Sequence, residues 1–274
     1  MPTFDVTDAT LDYEVRGESG PWVVQLHGLT SSRTRDAEMG LDLPRYLRGY
    51  RVLRYDARGH GASTGMRRPE DYTWPHLAGD LLALLDHVAP GETVHGVGPS
   101  MGTATLLYAA VRDPDRFASL TLVVPPTAWE SRRSQAVLYQ ANADLVAREG
   151  IEAFVELSAA GAVVPALAEA PRTRPSVSED LLPYVLRGAA ASDMPAPEEV
   201  ATIPAPTLVL AWSDDPGHPM STAKRLRELL PNSRLVVART PYGIMAWPGL
   251  FADHVTGHVD PTPEPAEAVS TPAL

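Results

Sequence analysis

The chain contains no cysteine, so disulfides, thiolate nucleophiles and cysteine-ligated zinc are excluded by inventory. It also has no uninterrupted apolar run approaching the roughly 20 residues that span a bilayer. The first residues, MPTFDVTDATLDYEV, show neither the basic start nor the apolar core of a secretory signal. Positive charge is scarce: 23 Lys and Arg stand against 34 Asp and Glu, a formal net charge of −11. Such a surface neither tracks phosphates nor seeks anionic lipid, so nucleic acid and membranes are not expected partners, and the chain reads as a soluble cytoplasmic protein. Internal repeats are missing too. What is present is 44% hydrophobic content in 274 residues, enough for a sizeable core in one domain or in one domain with an insertion.

Short apolar runs recur along the chain: WVVQLHG (22–28), YRVLRYD (50–56), ETVHGVG (92–98), SLTLVVP (119–125), APTLVLAW (205–212) and SRLVVAR (233–239). Their length, Val and Leu content and Gly or Pro boundaries predict buried parallel strands. Between them lie helical periods. In WPHLAGDLLALLDHV, the residues Leu77, Leu81, Leu84, Leu85 and Val88 fall on one helix face, and Pro75 suits a first turn. TFDV and TLDYEV lie too close together for a crossover helix and predict an antiparallel hairpin at one sheet edge. The expected architecture is α/β: a mostly parallel eight-stranded sheet with helices on both faces. Alternation stops after Pro126, and 127–200 turns Ala-rich and helical. The expected organisation is a core of 1–126 and 201–259, a helical insertion at 127–200 and a disordered tail at 260–274.

The chemistry centres on GVGPSMGT (96–103), a G-x-S-x-G pattern with a predicted strand before it and a helix after it. That context suits a nucleophile elbow: Gly98 and Gly102 permit a tight turn, and the N-terminus of the following helix points at Ser100. Three segments, LHGLTSS, YDARGHGAS and the elbow itself, resemble the α/β-hydrolase family in order and spacing, and PTLVLAWSDDPGHP extends the likeness. The resemblance covers roughly residues 10–126 and 200–250. It implies an α/β-hydrolase fold, with 127–200 as a helical cap. It also implies Ser100 as nucleophile, the backbone N–H groups of Leu29 and Met101 as oxyanion hole, and Asp215 as the acid, with Asp214 as the neighbouring alternative. No cofactor and no metal are implied. The family histidine belongs in a Gly-His turn after the eighth strand, but Gly243 is followed by Ile244, and no histidine occurs between 219 and 253. Pro99, where the family often has His, is a second departure.

The base must therefore come from elsewhere. His27 and His60 sit in Gly-flanked turns and read as structural; His95 reads as a core residue on a strand; His76 and His87 lie on one helix, away from the carboxyl edge of the sheet. His254 and His258, four apart, read as an exposed helix face. His218, three residues after Asp215, lies on a loop at the same sheet edge as Ser100 and is the candidate base. A base supplied by the substrate or a bound water is the alternative. Trp129, Tyr139, Tyr184, Trp212 and Trp247 line an apolar pocket or belong to the core, and the arginines of RGHGASTGMRR read as a solvated loop. The expected activity is cofactor-free chemistry at an ester, thioester or lactone carbonyl of a small, apolar substrate. A lyase or cyclase on the same fold, and a non-catalytic small-molecule binder, are the competing readings.

Overall fold

The Val- and Leu-rich runs form strands, buried on both faces except for the half-buried last one at 233–238, as the computed structural model shows for residues 1–161, 163–171 and 173–257. The strands are β1 (Thr3–Val6), β2 (Ala9–Arg16), β3 (Trp22–Gln25), β4 (Arg51–Tyr55), β5 (Val94–Pro99), β6 (Phe117–Val123), β7 (Thr207–Trp212) and β8 (Ser233–Ala238). Across the sheet they run β1-β2-β4-β3-β5-β6-β7-β8. The hairpin is antiparallel and its β2 pairs antiparallel with β4; every pairing from β4 to β8 is parallel. This is the expected α/β-hydrolase architecture. The chain builds outward from β3 to β4, then returns to place β5 on the other side of β3. That reversal opens a crevice beyond the carboxyl ends of β3 and β5, where ligands bind in open α/β sheets.

The helices are α1 (Arg33–Glu38), α2 (Trp74–Val88), α3 (Met101–Arg112), α4 (Arg132–Glu149), α5 (Ile151–Ala160), α6 (Leu182–Ala190), α7 (Pro197–Val200), α8 (Met220–Leu229), α9 (Pro241–Met245) and α10 (Trp247–Thr256). Side chains of α2, α3 and α8 share one core with the sheet, and those of α10 build a second core with Leu41, Leu43, Leu208 and Leu210. Helix α3 is buried from Met101 through Leu107, so it needs small or apolar residues all round and has them. A third cluster joins Ala143 and Val146 of α4 to Leu182, Val185 and Leu186 of α6 and to Tyr72.

One boundary differs from expectation. The run at 22–28 leaves the sheet after Gln25; Leu26 N still bonds the Val97 carbonyl at 2.9 Å, and the chain then turns toward the end of β5. His258 and the 260–274 tail lie outside the described residues. Among the described residues no helix is long and apolar enough to cross a membrane, and no group of three or more His, Asp or Glu is placed to hold a metal ion.

Candidate active site

Ser100 is the single residue between β5 and α3, with φ 51° and ψ −110°. A non-glycine residue held there costs about 1–3 kcal/mol and persists only if its surroundings enforce it. They do. Ser100 N donates to the Val123 carbonyl at 2.9 Å, and Thr103 Oγ1 donates to the Gly98 and Val123 carbonyls at 2.8 and 3.2 Å. A Cβ on Gly98 would stand 2.9 Å from the Gly102 carbonyl carbon, and one on Gly102 would stand 3.0 Å from Leu26 Cβ. Both glycines of the motif are therefore required by contact. Pro99, as the last residue of β5, leaves the turn intact.

The His-Gly turn closes beside it. Ser31 N bonds the Gly28 carbonyl at 3.1 Å, with Leu29 inside the turn and Thr30 at φ 59°. A Cβ on Gly28 would lie 3.8 Å from Ser100 Cβ, which places this turn against the elbow. Two buried histidines hold it. His27 donates from Nδ1 to the Gly28 carbonyl and accepts at Nε2 from Ala57 N, both at 2.8 Å. His60 donates from Nδ1 to the Arg58 carbonyl at 2.8 Å and accepts at Nε2 from Thr30 N at 3.3 Å. Burial pushes His27 down to about 4 and His60 down to about 3, so each is neutral and uses one nitrogen as donor and the other as acceptor. Asp56 supports the same framework by accepting from Arg33 N and Ala62 N. The N–H groups of Leu29 and Met101 meet no hydrogen-bond acceptor among the described residues.

The loop after β7 completes the constellation. His218 Nε2 lies 2.9 Å from Ser100 Oγ, and its Nδ1 lies 2.7 Å from Asp215 Oδ2. The same carboxylate accepts from Trp212 Nε1 at 2.8 Å and from Gly217 N at 2.8 Å. Burial alone would raise the Asp215 carboxyl; the donors on His218, Trp212 and Gly217 overcome it and hold Asp215 down at about 2. Asp214, by contrast, is exposed with φ 61° and turns away. The loop is anchored from two sides, by Ser213 N to the Ala238 carbonyl and by Thr127 N to the Gly217 carbonyl. All three side chains proposed from the sequence, Ser100, Asp215 and His218, thus meet in one hydrogen-bonded line, with Leu29 and Met101 on the adjoining backbone.

The end of β8 holds apolar packing where the family histidine is expected. A Cβ on Gly243 would come within 2.7 Å of Ala238 Cβ, and Ile244 packs with Trp247 and Phe251. Trp247 stacks on Trp212 with centroids 6.1 Å apart, and Trp212 meets the His218 ring edge-on at 5.7 Å. Trp212 is thus part of the core and also a donor to the acid, a double role its sequence context did not signal. Trp129 donates from Nε1 to the Pro195 carbonyl, and Tyr139 and Tyr184 pack against the α4–α6 cluster.

Two expectations are corrected. His254 is not on an exposed face: it is partly buried and its Nε2 donates to the Leu120 carbonyl at 3.1 Å, because α10 lies against the sheet. The RGHGASTGMRR arginines are not uniformly solvated either. Arg58 is buried and bidentate on Asp80, while Arg67 and Arg68 pair with Asp180 and with Asp8 and Asp71.

A G-x-S-x-G turn between strand and helix, on this sheet order, is the arrangement expected of the α/β-hydrolase class. The family model described as alpha/beta hydrolase fold matches residues 21–242, and the chain belongs to that family. It is similar to 3-oxoadipate enol-lactonase 2 of Acinetobacter baylyi, at 32% identity over 195 residues, covering 69% of this chain and 70% of the relative. It is similar also to the putative carbamate hydrolase RutD of Pseudomonas syringae pv. syringae, at 28% identity over 232 residues, covering 81% and 83%. In fold it resembles the enol-lactonase from Burkholderia xenovorans LB400, with a TM-score of 0.77 at 23% identity over 93% of this chain and 100% of that one.

Proposed function

We propose that the protein is a cofactor-independent serine hydrolase of small ester or lactone substrates, with Ser100 as nucleophile, His218 as base and Asp215 as the residue that orients it. The observation that carries this reading is the 2.9 Å contact from His218 Nε2 to Ser100 Oγ, within reach for proton transfer. Ser100 Oγ attacks the carbonyl carbon as Nε2 takes its proton, and the carbonyl oxygen, now negative, accepts from the N–H groups of Leu29 and Met101. Collapse expels the alcohol oxygen, protonated by His218, and leaves an acyl-serine. Water, deprotonated by the same imidazole, attacks the acyl carbon; the carboxylic acid leaves and Ser100 recovers its proton. Asp215 keeps the proton on Nδ1 and stabilises the imidazolium formed at each step.

The enol-lactonase relatives favour an ester or lactone over a thioester. Helices α4 to α7 are read as the cap, since Ser176 N donates to the Thr30 carbonyl at 2.8 Å and Thr127 N to the Gly217 carbonyl at 3.1 Å, tying that segment to both sides of the site. The lyase or cyclase reading drew its force from a missing base, and His218 removes that ground. A binding protein would have no use for a strained serine aligned with an imidazole and a carboxylate. A fluorophosphonate probe tests the proposal: labelling is expected at Ser100 in the native protein, none in Ser100→Ala, and a large loss of rate in His218→Ala. A folded native protein that stays unlabelled overturns it.

A further inference from the structure

We propose that Tyr139 of α4 is a further catalytic residue: its phenol O–H donates to the alcohol oxygen of the substrate as the ester bond breaks. This rests on the reading of Ser100 as nucleophile and His218 as base, and it adds a second donor at the leaving group.

Arg132, the first residue of α4, fixes where that helix meets the site. It is 4% exposed, and its hydrogen-bond partners are neutral oxygens. Nε donates to the Ser192 carbonyl at 2.7 Å, Nη2 to the Ala189 carbonyl, and Nη1 to Thr127 Oγ1 at 3.1 Å. Thr127 N donates in turn to the carbonyl of Gly217, the neighbour of His218, at 3.1 Å. The guanidinium lies against two rings, Trp74 at 4.3 Å and Tyr139 at 5.2 Å. Tyr139 stands seven residues further along α4, two turns on, so the face that carries Arg132 to the catalytic loop carries Tyr139 too. Both flanks of the elbow reach Tyr139. It packs against the α4–α6 cluster, as Leu29 of the His-Gly turn does, and its phenol is close enough to Asp215 for that carboxylate to act on it. Leu29 and Asp215 stand on opposite sides of Ser100, so Tyr139 faces the crevice between them.

The hydrogen-bond accounting leaves one proton unplaced. A phenol donates once and accepts at its oxygen. Arg132 and Gln135 approach that oxygen as donors, while the O–H meets no acceptor among the described residues. Burial outweighs both donors and raises the phenol above its ordinary range, so the proton stays on the oxygen at neutral pH. A donor held without an acceptor costs free energy that an arriving substrate oxygen recovers. The carbonyl oxygen already has the N–H groups of Leu29 and Met101. The alcohol oxygen must lie on the His218 side, since the imidazole returns its proton there, and Asp215 places Tyr139 toward that side. As the carbon–oxygen bond breaks, its electron pair passes to the alcohol oxygen and the His218 proton follows. Tyr139 keeps its own proton throughout and contributes only a hydrogen bond, which strengthens as charge develops on that oxygen.

The experiment compares two esters of one acid, p-nitrophenyl butyrate and ethyl butyrate, on the full chain. Their kcat/KM values report acylation with the same acyl group and differ only in the alcohol. Nitrophenolate needs little help to leave and ethoxide needs much. Tyr139→Phe keeps the ring and its packing, and is expected to lower kcat/KM about threefold for the nitrophenyl ester and about thirtyfold for the ethyl ester. Tyr184→Phe removes a phenol packed against the same cluster and is expected to affect the two esters equally. Equal losses for both esters in Tyr139→Phe, no loss with ethyl butyrate, or the same ester dependence in Tyr184→Phe overturns the proposal. Fluorophosphonate labelling reports separately on Ser100: a labelled native protein with equal ester losses defeats only the role of Tyr139, and an unlabelled native protein defeats the nucleophile on which that role depends.

Discussion

His218 and Asp215 stand three residues apart on one loop, and their side chains bond at 2.7 Å while the same imidazole reaches Ser100, 118 positions earlier, at 2.9 Å. In the pattern the family implies, acid and base arrive from the ends of different strands; here the loop after β7 carries both side chains proposed for those roles. His218→Gln, close in size but without a basic nitrogen, is expected to lower kcat by about 10⁴-fold or more on an activated ester with little change in KM. A His introduced at Ile244 is not expected to rescue it, because that side chain is buried against Trp247 and Phe251. Steady-state kinetics on the two variants check this.

In the proposed mechanism Asp215 fixes which imidazole nitrogen of His218 carries the proton. Asp215→Asn preserves shape but offers Nδ1 an amide, and a loss on the order of 10⁴ in kcat is expected. Trp212→Phe removes one donor from the carboxylate, about 1 kcal/mol of support, and should slow turnover about fivefold. An effect of Trp212→Phe as large as that of Asp215→Asn would show that the indole is doing more than steadying the acid.

The elbow stores strain that the fold must hold. Ser100→Gly relieves a φ of 51° that only glycine adopts without penalty, and the variant is expected to be more stable by about 1 kcal/mol, a rise of about 2–4 °C in Tm, while losing activity. Thermal unfolding of the variant beside Ser100→Ala checks it, since alanine removes the hydroxyl but keeps the strain.

Three buried groups around the His-Gly turn contribute to stability below neutral pH. Unfolded histidines take up protons near 6.5, whereas His27 and His60 resist until about 4 and about 3. The stability they provide is complete above pH 6.5 and is lost as pH falls, by about 2 kcal/mol each between pH 7 and 5. Asp36 works in the opposite direction. Burial pushes it up to about 7 from 3.8, so the folded state gains its proton first and is stabilised by about 2 kcal/mol over the same interval. Asp36→Asn should therefore lose about 2 kcal/mol more than the native protein over this interval. Urea midpoints at pH 7 and 5 for both proteins read this directly, and equal losses would remove Asp36 from the account.

Much of the fold was legible because buried parallel strands are short and apolar and the helices between them keep a 3.6-residue period; Leu77, Leu81, Leu84 and Leu85 all face the core as their spacing required. Ser100 was legible because its two glycines are needed by contact. His218 was legible by topology, since a loop leaving the carboxyl end of β7 borders the crevice at β5. What was hidden depends on tertiary neighbours. Nothing in AWSDDPGHP says that the Trp212 indole turns to Asp215, and the burial of Arg58 requires an Asp80 that is 22 residues away. His254 looked exposed because its helix has an outer face, yet α10 presents that side chain to the Leu120 carbonyl.

The two side chains proposed as acid and base sit on one short loop. The imidazole–carboxylate pair lies within the segment from Ser213 to Pro219, whereas the Ser100 contact crosses to the end of β5. The placement of His218 opposite Ser100 therefore depends on the ties that hold this loop: Trp212 to Asp215, Ser213 to Ala238, and Thr127, among the first residues after β6, to Gly217.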